Sequence, residues 1–462
     1  MSYIGNTPTT QSFISGTDYF NGTGSQTAFT LSRTVASIND IQVTVNNVVQ
    51  QPNDAYTISG TTLTMTSAPS AGTNNVYVRY LSTTTQAITP SQNTVSWSTL
   101  DSNIQQDLGL MYKNKIINGN MAIDQRNAGA SVTASTTGTG QNYTLDRFFY
   151  WVSQASKMTI QQNAGSVTPP PGFTNYLGVT SSAATSLGSS DYFLIGQAIE
   201  GFNTADLDFG KSTAKTVTLS FWVRSSLTGT FGGALQNATA GRSYPFSYTI
   251  SSANTWEQKS ITITGDTSGT WVGATNAIGA YVWFGLGLGS NFSGTAGAWS
   301  GSALYSATGA TSVVGTNGAT FYLTGVQLEV GTQATAFSTA GGSYGAELAL
   351  CQRYYEKSYS IDTVPGTNTS VGQYLERATA QGGGYSGSNI RYVVQKRAAP
   401  TATFYRADGT AGSWNYNRSG TSSTASVALD DAGTYQGRIN MITGSAWAAT
   451  EIFGQYVLSA EL

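Results

Sequence analysis

The sequence predicts an all-β protein, and three observations lead to that class. Only 10% of its 462 residues are charged, against about 25% in an ordinary globular chain, and Thr, Ser, Gly and Asn stand where helix formers such as Glu, Lys and Leu would be needed. The 53 glycines accompany 26 Tyr, 18 Phe and 9 Trp, an ordered, turn-rich composition rather than a disordered one. Apolar residues also recur at every second position in segment after segment, the period of a half-buried strand.

Taken in chain order, the first elements are short strands joined by turns. Ile41, Val43 and Val45 alternate with polar residues, Asn46-Asn47 and Pro52-Asn53-Asp54 turn the chain, and Tyr56, Ile58, Leu63, Met65, Val76, Val78 and Tyr80 continue the alternation. Residues 82–98 form a Thr/Ser/Gln-rich linker. Leu100, Ile104, Leu108 and Met111 then make one apolar stripe, predicting a short helix that either packs on its own domain or gains stability by joining identical chains in a short parallel seam.

In the central block, Val217, Leu219, Phe221 and Val223 point inward and leave Trp222 on the other face. Ile278, Ala280, Val282 and Phe284 repeat this arrangement and send Tyr281 and Trp283 outward. The inward phase of Phe321 and Leu323 slips by one residue before Val326 and Leu328, which predicts a β-bulge at Gly325. Such antiparallel alternation predicts a jelly-roll sandwich. A helix is expected over Gly345–Lys357 with Cys351 as a small buried hydrophobe, followed by a second β-sandwich to Leu462.

Two counts remove whole chemistries. Histidine is absent and cysteine occurs once, so this chain contains no Ser-His-Asp or Cys-His nucleophile, imidazole base, His-ligated zinc, thiolate zinc cage or internal disulfide. No cofactor and no metal are expected. The net charge of −2 provides no clustered basic face for nucleic acid. No membrane insertion is expected either, since the longest apolar stretch, Tyr281–Gly289, falls far short of the roughly 20 residues a span requires. The opening MSYIGNTPTTQ has no export signal.

Several segments resemble tail fibres, the receptor-binding proteins of tailed bacteriophages. IINGNMAIDQRNAG (116–129), YTLDRFFYW (143–151), TGVQLEVGTQATAFS (324–338) and ELALCQRYYEKS (347–358) are similar to the start and end of a jelly-roll module recurrent in such fibres. VVQKRAAPTATFYRADGTAG (393–412) and YVLSAEL (456–462) resemble their distal receptor-binding domain. The resemblance implies four regions: a virion-attachment β-domain (1–86), a linker with the trimerising helix (87–117), a carbohydrate-binding-module-like jelly roll (118–342), and a connecting helix with the distal receptor-binding domain (343–462). It implies a homotrimeric fibre of the virion, assembled in the host cytoplasm and docked on a tail, baseplate or adaptor protein. Its tip would meet host polysaccharide or lipopolysaccharide and bind it without cleavage. No catalytic residue carries over, so an enzyme is not expected.

Sugar rings offer an apolar face and a rim of hydroxyls, so a glycan site needs flat aromatics with polar groups around them. In the distal domain Trp414, Tyr416, Arg418 and Tyr385 are the expected receptor contacts, with Trp447 and Tyr435 behind them. A second glycan site would use Trp222 and Trp283, with Trp271 and Trp299 as further candidates. The alternatives are a polysaccharide depolymerase tailspike and a bacterial carbohydrate-binding adhesin. A depolymerase needs two carboxylates flanking the bond. Asp206 and Asp208, spaced to share one strand face, would instead lie side by side, near Glu200.

Overall fold

The computed structural model describes residues 16–81, 113–136, 141–378, 385–418, 421–442 and 450–462. The chain divides into two compact units, Met1–Asp101 and Ser102–Leu462. The stripe Leu100, Ile104, Leu108 and Met111 lies outside the described residues.

In the first unit, Thr17–Gly22, Gly72–Tyr80, Ile41–Val45 and Val48–Val49 form a four-stranded antiparallel sheet, and Ala28–Val35 pairs with Tyr56–Met65. The inward residues Phe29, Leu31, Ile41, Val43, Tyr56, Leu63, Val76 and Val78 make one core, as their alternation predicts. Asn46, Asn47 and Asn53 adopt left-handed backbone conformations at the expected turns.

The second unit is built around a sandwich of two six-stranded antiparallel sheets. One runs Glu257–Ile263, Val217–Ser225, Thr320–Val330, Leu177–Ser181, Met158–Gln162, Val132–Thr133. The other runs Ser243–Ile250, Gly229–Asn237, Ile278–Leu288, Tyr192–Glu200, Phe148–Val152, Asn142–Leu145. Leu219, Phe221 and Val223 from the first sheet meet Phe231, Val282 and Phe284 from the second in a single core. At the bulge, Ser220 pairs with Gln327 and Trp222 with Thr324, so two residues oppose Phe221. Gly325 holds φ +61°, and a Cβ there would stand 2.6 Å from the Phe173 ring.

The helix Tyr344–Gln352 is capped by Ser343, whose hydroxyl accepts from the Ala346 amide, and Cys351 is fully buried. It ends five residues before the expected Lys357, because Tyr355–Lys357 leaves as a strand pairing with Val457–Ser459. The C-terminal region differs from the expected two-sheet sandwich. It forms one eight-stranded sheet, because the long strand Thr450–Ser459 pairs on both of its edges. Its first half pairs with Tyr374–Ala378 and Ser413–Arg418, and its second half with Tyr355–Lys357 and Thr401–Tyr405. The sheet curls until its two ends approach: the Tyr374 hydroxyl reaches Ser388 Oγ and the Asn389 carbonyl, both at 3.3 Å, on the strand Tyr385–Arg391.

A buried polar junction ties this sheet to the sandwich. Glu461 accepts from both Arg126 and Arg147, whose guanidinium groups lie 3.8 Å over the Tyr355 ring and 3.6 Å over the Tyr354 ring. Glu200, at the end of a sandwich strand, accepts from Arg353 at 2.9 and 2.5 Å and from the Tyr354 hydroxyl at 2.5 Å. Burial pushes the Glu200 carboxyl up, but these hydrogen bonds outweigh it and hold the group below the usual carboxylate range.

Two outcomes check this architecture. Gly325→Ala will cost about 1–3 kcal/mol in chemical unfolding, because the side chain strains the bulge and meets Phe173. Glu200→Gln will cost about 3 kcal/mol at neutral pH by leaving Arg353 without its counter-charge. A depressed folded-state pKa stabilises above the unfolded value, so the gap between the variant and the natural protein will close as pH falls through the carboxylate range.

Candidate functional site

The strand Ile278–Leu288 decides where the largest aromatic cluster sits. Strand alternation sends Ala280, Val282, Phe284 and Leu286 into the sandwich core and leaves Tyr281 and Trp283 on the outer face of their sheet. The strand Phe148–Val152, one strand further along the same sheet, does the same: Phe148, Tyr150 and Val152 point inward, Phe149 and Trp151 outward. Trp283 faces Gly196 and Ala234 on its two neighbours. A Cβ on Gly196 would come within 2.8 Å of the Trp283 ring, so only glycine leaves room for the indole to lie against the sheet.

Around Trp283 the rings form a continuous arrangement. Tyr281 stacks on it at 5.0 Å and 19°, and Trp151 at 5.9 Å and 29°. Phe149 meets it edge-on at 5.3 Å, and Tyr305, from the segment entering Ser306–Ala307, packs across it at 5.7 Å and 72°. Trp283 itself is 1% exposed, whereas Trp151 and Tyr281 are half-buried and offer ring surface to solvent. Burial raises the phenol pKa values of Tyr281 and Tyr305, so both hydroxyls stay protonated at neutral pH.

Trp151, Tyr281, Trp283 and Tyr305 line an open cavity of about 250 Å³, with Gln141, Gln236, Ala238, Ala240 and Leu462. That is somewhat below the roughly 300–1,000 Å³ of drug-sized ligand sites, and it suits one flat, partly apolar ring. Every lining side chain is uncharged. The Trp283 indole donates to Gln236 Oε1 at 3.0 Å, and Gln141 Nε2 donates to the Tyr281 hydroxyl at 3.2 Å. Hydrogen-bonding groups therefore rim an aromatic floor, the combination a sugar ring needs.

The residues expected from sequence are distributed differently. Trp414 is a correction: it is fully buried in the core of the C-terminal sheet, its indole donating to the Gln455 carbonyl at 2.9 Å. Trp414 lies on the strand Ser413–Arg418, whose alternation turns it and the half-buried Tyr416 toward that core. Arg418 ends this strand opposite Thr421, and Tyr385 opens another opposite Ile442. Tyr435 is 64% exposed. It precedes Gln436, which pairs with Arg391, six residues and about 20 Å along the strand from Tyr385. Trp447 lies outside the described residues. Buried Trp414 and exposed Tyr435 thus do not share one pocket.

Trp222 and Trp283 do not share a site either, since they stand on the outer faces of opposite sheets. Trp222 is half-buried beside Phe173 at the Gly325 bulge. Trp271 and Trp299 are half-buried and pack edge-on against Phe209 at 4.7 and 5.8 Å. Asp206 and Asp208 occupy a helical turn and its left-handed exit rather than a strand face, each paired with a lysine at 2.7 Å, Lys115 and Lys211. No cluster of metal-ligating side chains occurs among the described residues. Trp151, Tyr305, Gln141 and Gln236 were not anticipated. Alternation in FFYW (148–151) could have flagged Trp151, but nothing local marks Tyr305.

These placements predict opposite behaviour for two tip aromatics. Trp414→Ala will destabilise the C-terminal sheet by about 3–5 kcal/mol, read by loss of its unfolding transition, whereas Tyr435→Ala will stay within about 0.5 kcal/mol of the natural protein.

No protein-family model and no curated protein matches this sequence. Among solved structures, the chain is similar to the enzymatically active domain of tailspike protein 4 of bacteriophage CBA120, with 12% identity over 48% of this chain and a TM-score of 0.27. The match spans only 22% of that tailspike domain. It is also similar to a carbohydrate-binding module of type CBM4, with 14% identity over 46% of this chain and 98% of the module, TM-score 0.23. A family 11 carbohydrate-binding module from Clostridium thermocellum, in complex with a β-1,3-1,4-mixed-linked tetrasaccharide, aligns at 11% identity over 44% of this chain and 98% of the module, TM-score 0.24.

Proposed function

We propose that this chain is the receptor-binding tail fibre of a tailed bacteriophage, and that it attaches the virion to its host by binding surface polysaccharide or lipopolysaccharide without cleaving it. The observation that carries the binding part is the open aromatic cavity of the sandwich, where half-buried Tyr281 and Trp151, backed by buried Trp283 and Tyr305, present ring surface beside side-chain amides. Segments 116–129, 143–151, 324–338 and 347–358 support the phage assignment through their resemblance to fibre modules. Their folded context supports it too: YTLDRFFYW supplies the strand bearing Trp151, and TGVQLEVG the bulged strand of the opposite sheet.

A binding role without cleavage is supported by the lining side chains, none of which among the described residues is a carboxylate able to protonate or attack a glycosidic bond. Asp206 and Asp208 are held by lysines, and Glu200 is locked at the buried junction. In this reading the glycan site moves from the distal loops to the sandwich, and the fibre is a homotrimer docked through its first unit on a tail, baseplate or adaptor protein. Three cavities per fibre and several fibres per particle raise weak individual contacts by factors on the order of 10² to 10⁴.

Glycan-array and host-cell adsorption assays test the reading. Tyr281→Ala will reduce binding at least about tenfold with sedimentation unchanged, because it removes exposed stacking surface rather than core. If Tyr281→Ala binds normally while Tyr435→Ala does not, the sandwich is the wrong location. Soluble oligosaccharide released from host envelope would point to a depolymerase.

A further inference from the structure

We infer that the sandwich cavity selects an uncharged sugar residue and orients it through one buried donor, the Nε2 group of Gln236; this inference rests on the glycan-binding reading above. The argument begins with the indole of Trp283. An indole N–H can only donate, so the atom of Gln236 that it contacts at 3.0 Å must be the acceptor Oε1. That fixes the orientation of an amide whose two ends are otherwise interchangeable, and it leaves Nε2 as a donor with its direction set.

Gln236 is 2% exposed and lines the cavity, and among the described residues its Nε2 makes no hydrogen bond of ordinary length, the Tyr305 hydroxyl being only a distant acceptor. A buried donor left unmatched costs on the order of 1–3 kcal/mol, and a ligand oxygen placed there removes that cost. The Tyr305 phenol stands close enough to this amide to feel it, and it stays protonated because burial raises its pKa. The two groups offer a neutral, donor-rich corner beside the Tyr281 and Trp283 rings.

Nothing in the wall compensates a negative charge. The guanidinium groups of this part of the sandwich are already committed: Arg126 and Arg147, 5.0 and 5.9 Å from the Tyr143 ring, are both paired with Glu461, and Arg242 is paired with Asp266. A carboxylate brought into the cavity would lose water without gaining a counter-ion, which is strongly unfavourable. The fitting ligand is a neutral hexose or N-acetylhexosamine residue with an oxygen facing Gln236. Sialic and uronic acid residues do not fit.

The test uses the purified full chain and calorimetric titration with two matched panels: neutral hexose and N-acetylhexosamine oligosaccharides, and the same oligosaccharides capped with sialic or uronic acid. Neutral ligands are expected to bind at least about tenfold more tightly than capped ones. Gln236→Met, and Gln236→Glu measured at pH 8, are each expected to weaken neutral binding about tenfold, the worth of one buried hydrogen bond. Acid-capped ligands binding as tightly as neutral ones would overturn the inference, whether or not either variant folds. So would two folded variants that bind like the natural protein. Loss of all binding in Tyr281→Ala alongside either result would leave the glycan reading standing and remove only the selectivity. A natural chain that binds neither panel removes both.

Discussion

The indole N–H of Trp283 must find an acceptor, because a buried donor without one is costly, and the acceptor it meets is Gln236 Oε1. That single contact fixes the floor of the cavity. It holds the largest ring of the outer face flat against Gly196, lets Tyr281 and Trp151 stack on its two sides, and sets the direction of the Gln236 amide. The sandwich core beneath is the other half of the constraint. Val282 and Phe284, on either side of Trp283 in sequence, anchor the strand inward, so the outward pair cannot rotate away without breaking the core.

Sheets with one face in a core and the other toward water normally carry polar residues outside. Here one sheet carries a second aromatic layer instead, comprising Phe149, Trp151, Tyr281, Trp283 and Tyr305. An apolar outer layer of this kind needs a reason beyond folding, since exposed aromatic surface is usually a binding surface. The proposed glycan role supplies one: stacking on flat rings costs little side-chain entropy, and in the proposed trimeric fibre the weak affinity of a single site would be multiplied.

Much of this fold is legible from alternation. Val217 to Val223 and Ile278 to Phe284 read directly as inward sets, the phase slip at Gly325 marks the bulge that Gly325 forms at φ +61°, and Cys351 is buried as a small hydrophobe on its helix. The C-terminal region is less legible for a physical reason. Its strand Ser413–Arg418 carries only two large apolar side chains among Asn, Ser and Arg, so composition suggests a loop. Period two places Trp414 and Tyr416 on one face without saying which face is covered. That face is closed by Phe404 from the preceding strand and by Ile439 and Ile452 from strands further along the chain. The cavity is hidden in the same way: Trp151, Gln236, Tyr281 and Tyr305 belong to three strands and a connection, and only sheet order brings them together.

The most direct measurement is a crystal structure of the full chain soaked with a neutral oligosaccharide from the host surface. The account predicts a sugar ring stacked on Tyr281 with one of its oxygens about 3 Å from Gln236 Nε2. A sugar found against Tyr435 or the outer face of the C-terminal sheet, with the sandwich cavity unoccupied, would contradict it.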